Sequence, residues 1–391
     1  MTSRTRLIVL LVSAPVIAFA VIGGFLGKAV AREETYQYLR VFRHVLDLVL
    51  SNYVETVDSD RIMQGAMRGL TEPLDPDSAY LTREQVKALE SGEKLPAGEV
   101  GLDLTRQYYL RVIAARDGSP AAKAGLRAGD FVRLIDNRPT REMSVFEGTR
   151  LLRGTPGSKV RLTIIRSSAA DPHVIELTRV EIAPPEVSGR MQSSGVGYVR
   201  VPGFSSKSAD QMRAKVAELR KQGAVRLLVD VRSCAAGDLA DGIAVARLFV
   251  PSGTLAIREA RDRPRESIEA APGDGAITLP TVVLVNAGTS GAAELFSAAL
   301  AGNDRAELVG ERTAGRATLQ KLLPLPDGTA MLLSNLWFLA PNGDRIQERG
   351  LAPNVEIEEP DVEIGAPPPA TDPILLKAIE RLASKADLQI P

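Results

Sequence analysis

From Leu7 to Leu26 the chain runs for 20 residues without a charge, and the apolar positions fall on every face of a helix. At about 1.5 Å per residue such a helix spans about 30 Å, the thickness of a hydrocarbon core. Arg4 and Arg6 precede it, and Ala29-Val30-Ala31 follows it with the small-x-small spacing of a cleavage site. A retained anchor and a cleaved signal both fit segment 1–31, and the length of the run favours the anchor; a buried helix of a soluble protein is the third reading. Lys28 and Arg32 flank the far side as well, so charge sets orientation weakly. The likeness to an export signal predicts a membrane-anchored chain with an extracytoplasmic body, or a secreted one if the signal is cut.

Beyond it, apolar positions recur at helical spacing, first at Leu39, Phe42, Val45, Leu46 and Val49, then at Ile62, Met63, Ala66, Met67 and Leu70. This predicts two packed helices. Leu74 to Leu81 reads as turn chemistry, and a charged helix to about Ser91 closes an N-terminal helical region, 36–95. From Gly98 the pattern switches to short alternating strands: Val100–Leu104, Tyr109–Ala114, Phe131–Ile135 and Val160–Ile165, with one helix at Val145–Leu152. A small α+β barrel over 98–170 follows. A larger unit, 185–360, opens with a strand near Gly195, a helix at Ser208–Lys221 and a strand at Val225–Val231, the crossover of a mixed or parallel sheet. Thr281–Val285, a helix from near Ser290, Glu307–Val309 and Ala330–Phe338 continue it. The tail, 361–391, reads as a Pro-rich spacer and a short amphipathic helix at Pro373–Leu382. The fold class is α+β multidomain.

Composition narrows the chemistry. The 48 Lys+Arg balance 48 Asp+Glu, so no basic field calls for nucleic acid. Cys234 stands alone and cannot form an intramolecular disulfide; with only His44 and His173 there is no metal-ligand set, and no cofactor motif is present. A buried structural role is expected for Cys234 and surface or structural roles for the histidines, His173 in a polar turn.

Four stretches then resemble one family, the C-terminal processing peptidases or tail-specific proteases. LSNYVETVDSDRIMQGAMRGLTEPLDPDSAYLT is similar to its N-terminal helical region. GLDLT, with GSPAAKAGLRAGDFVRLIDNRPTREMSVFEGTRLLRGTPGSKVRLTIIR, resembles its PDZ domain. LLVDVRSCAAGDL and VVLVNAGTSGAAELFSAALAGNDRAELVGERTAGRATLQKLLPLPDG resemble the catalytic face, and GLAPNVEI the last core strand. The resemblance implies an α/β, crotonase-like core. It also implies a PDZ groove at Gly101-Leu102-Asp103-Leu104 that takes a peptide C-terminus or an unfolded polypeptide, its pocket formed with Phe146 and Arg150. A groove filled by its own linker, or one that serves only as packing, is the alternative.

At the dyad the chain departs from the family. The family pattern is approximately Gly-Ser-Ala-Ser-Ala-Ser-Glu, with the nucleophilic serine three positions before the glutamate and a lysine base 22 positions after it. Anchored on Glu294, the nucleophile position is Gly291 and the base position Arg316. Glycine has no hydroxyl. A lysine base must be neutral, which burial allows, whereas arginine keeps its proton and has no acceptor to offer. The oxyanion region, Gly237 and Ala292, follows Ser233-Cys234-Ala235-Ala236 where the family has Asn-Asn-Pro-Gly. Asp230, Arg232, Gly237, Glu294 and Gln320 persist.

Ser290 is the fallback nucleophile, but near a helix start one residue swings a side chain by about 100°. Lys321 lies an odd number of residues past Arg316, which in a strand turns it away, while Gln320 stays on the Arg316 side. The expectation is a pseudopeptidase that binds peptides through its PDZ domain and holds a polypeptide, an active paralogue or a second copy of itself on its core. An active serine endopeptidase using Ser290, and a core kept as a spacer, are the rivals.

Overall fold

The computed structural model describes residues 36–92, 94–166, 171–193, 195–367 and 369–387, with side chains to residue 383. The Leu7–Leu26 run and the Ala29–Ala31 site lie outside these residues. Among the described residues no helix is long and apolar enough to cross a membrane.

Both expected N-terminal helices form, α1 over 36–52 and α2 over Ser59–Thr71. Their apolar faces are not packed away: Leu39, Phe42, Val45, Met63 and Leu70 stay exposed, which corrects the expected helix pair. In the segment after them, Asp75 makes the turn the sequence suggests, its carboxylate accepting the N–H groups of Asp77 and Ser78 and the Ser78 hydroxyl. The chain then enters a strand, β1 (Ala79–Leu81), which turn residues alone do not reveal. Helix α3 (Arg83–Glu90) starts at a reciprocal cap, Thr82 Oγ accepting from Gln85 N–H and Gln85 Oε1 from Thr82 N–H.

The barrel contains β2 (Gly98–Glu99), β3 (Leu102–Gln107), β4 (Tyr109–Ala115), α4 (Pro120–Lys123), β5 (Phe131–Ile135) and β6 (Arg138–Pro139). It continues with α5 (Val145–Leu152), β7 (Lys159–Ile165), β8 (His173–Thr178) and β9 (Val180–Glu181). Its sheet order is β3-β4-β5-β7-β8, so β3 is an edge, and the sheet runs on past residue 170. His173 is the first residue of β8, opposite Ile164, and not in a polar turn. Alternate positions Leu102 and Leu104, Val160, Leu162 and Ile164 point into one core with Leu110, Val132 and Ile135.

The larger unit follows with β10 (Ser188–Ser193), β11 (Val196–Arg200), α6 (Ser208–Lys221), β12 (Arg226–Asp230), α7 (Leu239–Ala246), β13 (Thr254–Ala260) and β14 (Glu266–Glu269). After these come β15 (Thr281–Val285), α8 (Ala292–Gly302), β16 (Ala306–Gly310), β17 (Thr318–Pro324), β18 (Ala330–Leu339), β19 (Val355–Glu356) and α9 (Pro373–Asp387). The main sheet is β10-β11-β12-β15-β16-β19, parallel from β11 onward. Its strands read as continuous apolar runs because both faces are covered. Val199, Leu227, Val229, Val283 and Val285 face Phe249 and Phe296, while Tyr198, Leu228, Val282 and Leu284 face Ile374, Ala378 and Leu382 of α9. A second sheet, β1-β18-β13-β14 with β17 on β18, takes in the strand from the N-terminal segment.

The tail is not a free spacer. Arg127 binds Pro360 O and Asp361, Arg166 donates to Val362 O (2.6 Å), and Ile364 packs on the barrel core. A Cβ on Gly125 would sit 2.9 Å from Gly365 N, so the strap crosses the barrel at close contact. Since Ile374 of α9 is fully buried against one face of the main sheet, Ile374→Ala should cost about 2–5 kcal/mol in urea unfolding; a loss under about 0.5 kcal/mol would show the helix to be dispensable packing.

Candidate functional site

Three loops leave the C-terminal ends of β12, β15 and β16 and converge, the usual location of a site in a parallel α/β sheet. Side-chain-to-backbone bonds fix them together. Asn286 Oδ1 accepts from Ser233 N–H (2.8 Å) and Gly288 N–H (3.0 Å), Thr289 Oγ donates to Val231 O (2.9 Å), and Ser290 N–H donates to Cys234 O (2.9 Å).

Helix α8 begins behind Gly291, whose φ of +62° suits glycine. Glu294, fully buried in the first turn, reaches back and across. It accepts from Gly291 N–H (3.0 Å), Gly315 N–H (2.7 Å), Arg316 N–H (2.8 Å) and the Thr313 hydroxyl. Burial raises the Glu294 pKa, and these four donors oppose the rise. One carboxylate thus brings positions 291 and 316 together. A Cβ built on Gly291 would lie 3.8 Å from Arg316 O and 3.7 Å from Leu239, so a side chain has room there.

Arg316 does not point into free space. Its Nη2 and Nε pair with the Asp77 carboxylate (2.5 and 3.3 Å), and its Nη1 donates to Leu104 O (3.3 Å). Gln320 Nε2 donates to Asp77 O, so Gln320 and Arg316 meet on one residue; strand parity is not the cause, since Arg316 precedes β17 and the register shifts between Leu319 and Gln320. Lys321 is exposed. Asp77 is legible in the sequence only as a turn residue, and nothing in its local pattern marks it as a partner of position 316.

These groups wall a cavity of about 280 Å³ with Ala235, Gly237, Asp238, Leu239, Ser290, Gly291, Thr318 and Leu319. Among the described residues neither lysine nor histidine lines it. Ser290 does, Ala292 does not; Ala292 is buried, its carbonyl against Gly242. Gly237 has φ +121°, and a Cβ there would meet Phe204 O at 2.3 Å, which accounts for glycine at that point. Cys234 is buried, and burial pushes its thiol up to about 12. It is no nucleophile at neutral pH.

A second cavity, about 170 Å³, lies between β3 and α5. Gly101, Leu102, Asp103 and Leu104 form one wall; Val145, Thr149 and Leu152 form the other, at i, i+4 and i+7 on one helix face. Phe146 and Arg150 are turned away, which corrects their assignment to this pocket. Phe146 packs on the cluster of Ala79, Leu81, Val86 and Ala330, with the Arg150 guanidinium 5.8 Å from its ring. At the mouth Arg116 forks onto Asp103 (2.8 and 3.1 Å) and reaches Glu99, which Arg153 also holds. Arg316 lines this cavity too.

Residues 195–357 match the model of peptidase family S41, and residues 111–166 that of the PDZ domain. The chain is 29% identical over 336 residues to the carboxy-terminal-processing protease of Bartonella bacilliformis, covering 84% of this chain and 77% of that protein. It is 32% identical over 311 residues to the carboxyl-terminal-processing protease of Picosynechococcus, covering 78% and 74%. Among solved structures, the photosystem II D1 C-terminal processing protease superposes with a TM-score of 0.69 at 27% identity, over 80% of this chain and 85% of that one.

Two outcomes follow from the geometry. Because the Glu294 pKa is raised on folding, its contribution to stability is full below the unfolded pKa and is lost as pH rises through the folded one. Glu294→Gln should flatten that part of the pH–stability curve, while Glu294→Ala, which orphans three backbone donors, should cost about 3 kcal/mol or more. Cys234 should resist alkylation at pH 8 until the chain is unfolded; rapid labelling of the native protein would contradict its burial.

Proposed function

The chain belongs to the carboxyl-terminal-processing protease family, and we propose that it is a member that binds polypeptides without cleaving them. The observation that carries this reading is the pair of groups flanking the Glu294 carboxylate: a residue with no side chain at 291 and a guanidinium engaged with Asp77 and Leu104 O at 316. Hydrolysis through an acyl-enzyme needs a nucleophile and a group able to take its proton. The cavity wall offers the Ser290 hydroxyl, but its cation is an arginine, and Asp77 is already engaged by that cation.

Binding has a place to occur. Strand β3 is an edge, and the backbone of Gly101 to Leu104 lines the groove opposite α5, the arrangement that adds a peptide strand and captures its terminal carboxylate. Val145, Thr149 and Leu152 give the last side chain a small, mostly aliphatic pocket. In this reading residues 1–31 anchor the protein with its body outside the cytoplasm, and the core cavity holds the more distant part of the client or a partner copy of the fold. No nucleic acid and no cofactor enter the account.

A peptide with a free C-terminal carboxylate should bind the full-length chain at micromolar Kd, about 8 kcal/mol, and its amidated form at least about tenfold more weakly. Equal affinities would reject carboxylate capture. The double variant Gly291→Ser with Arg316→Lys should gain slow reaction with a serine-directed probe, while each single variant stays silent, since residues acting as a unit are not additive. The gain should be partial: the side chain introduced by Gly291→Ser would sit at a φ that costs about 1–2 kcal/mol, and Ala235-Ala236 leaves the oxyanion region altered. A folded double variant with no probe reaction would place the family's dyad elsewhere than 291 and 316.

A further inference from the structure

Arg111 on β4, Arg312 on the loop after β16, and Arg316 wall a third cavity, about 220 Å³, between the PDZ body and the core, with Thr105 also on its wall. Among the described residues no carboxylate lines it. Asp77 matches the charge of Arg316. Among the same residues Arg111 and Arg312 bond only neutral oxygens, Arg111 Nη1 to Gln107 Oε1 (3.3 Å) and Arg312 Nη1 to Arg349 O (3.3 Å). Among the described residues the buried Arg111 Nε meets no acceptor. The Arg111 guanidinium lies 5.7 Å from the Phe131 ring, so what the cavity wall offers an anion is the pair of guanidinium groups that have no carboxylate partner among these residues, and charge-assisted bonds to them would be the stronger kind.

We infer that this cavity is a binding site for a small oxyanion, a phosphate or carboxylate group, held by Arg111 and Arg312. The guanidinium fork matches both anions in shape, and charge-assisted bonds to them are stronger than neutral ones. The volume admits a tetrahedral oxyanion together with several waters at about 30 Å³ each. The site is separate from the groove at Gly101–Leu104, although Arg316 borders both cavities. An anion seated there bridges β4 to the loop that carries Arg316, so its occupancy fastens the PDZ body to the core. This does not depend on whether the core hydrolyses peptides.

The test titrates the full-length chain with inorganic phosphate against chloride at matched ionic strength, by calorimetry and thermal melting, and repeats it with a tripeptide as free acid and as amide. Saturable phosphate binding with a rise in Tm is expected. Arg312→Gln, a change at an exposed side chain, should weaken it about tenfold or more, and Arg111→Gln likewise. If the free-acid tripeptide displaces phosphate and the amide does not, the natural anion is a polypeptide terminus; if neither does, it is a free oxyanion. No saturable binding of either probe, or an affinity unchanged in Arg312→Gln, overturns the site; that variant carries the test even if Arg111→Gln does not fold.

Discussion

A single buried carboxylate organises the loops at one end of the main sheet. Glu294 sits on α8, yet its partners include Gly315, Arg316 and Thr313 from the loop after β16, so it joins that loop to the start of α8, alongside the bond from Ala314 N–H to Thr289 O (2.9 Å). Burying a carboxylate is costly unless its lone pairs are met, and here a hydroxyl and three backbone N–H groups meet them. Three of those four donors belong to the main chain. The adjacency of positions 291 and 316 therefore does not depend on which side chains stand there, and a scaffold of this kind persists with a glycine and an arginine in it.

In the proposed reading, where 316 is the base position, arginine changes what that position does. A lysine base needs a desolvated amine able to lose its proton, whereas a guanidinium stays charged and offers five directed donors. Here those donors are spent on Asp77 and on a carbonyl of β3, tying the turn before β1 and the edge of the PDZ sheet to the core. Other contacts reinforce the same docking. Arg200 forks onto Asp117 at 2.8 Å, and the strap from Pro360 to Gly365 crosses the barrel. The PDZ body is thus held to the core by directional bonds on several sides, and Arg316 borders all three cavities that meet around it.

Much of this is legible in the sequence. The helix at Val145–Leu152, capped by Ser144, the helix at Ser208–Lys221, which ends before Gly223, and the apolar run of the strand at Thr281–Val285 are all readable from the chain. The 291–316 pair comes from counting outward from Glu294 within a family resemblance. What the sequence hides are long-range partners. Asp77 lies 239 residues from Arg316, and no local pattern encodes such a pairing. Ala79–Leu81 is too short for a period and becomes a strand only because β18 is there to pair with it. Phe146 and Arg150 fall one residue off around α5, since the helix face that meets β3 is fixed by packing against Leu104 and Leu110 and not by propensity. The exposed apolar face of α1 is periodic without being buried, which shows that amphipathic spacing alone does not name a partner.

The most direct test of the account is intact-mass analysis of an unfolded reporter protein held with the full-length chain at stoichiometric concentration. Binding without turnover predicts that the reporter is recovered whole over many hours in a complex that a free C-terminal peptide disperses. New reporter termini that accumulate with time, and vanish when Ser290 is replaced by alanine, would contradict it and return the chain to the hydrolases.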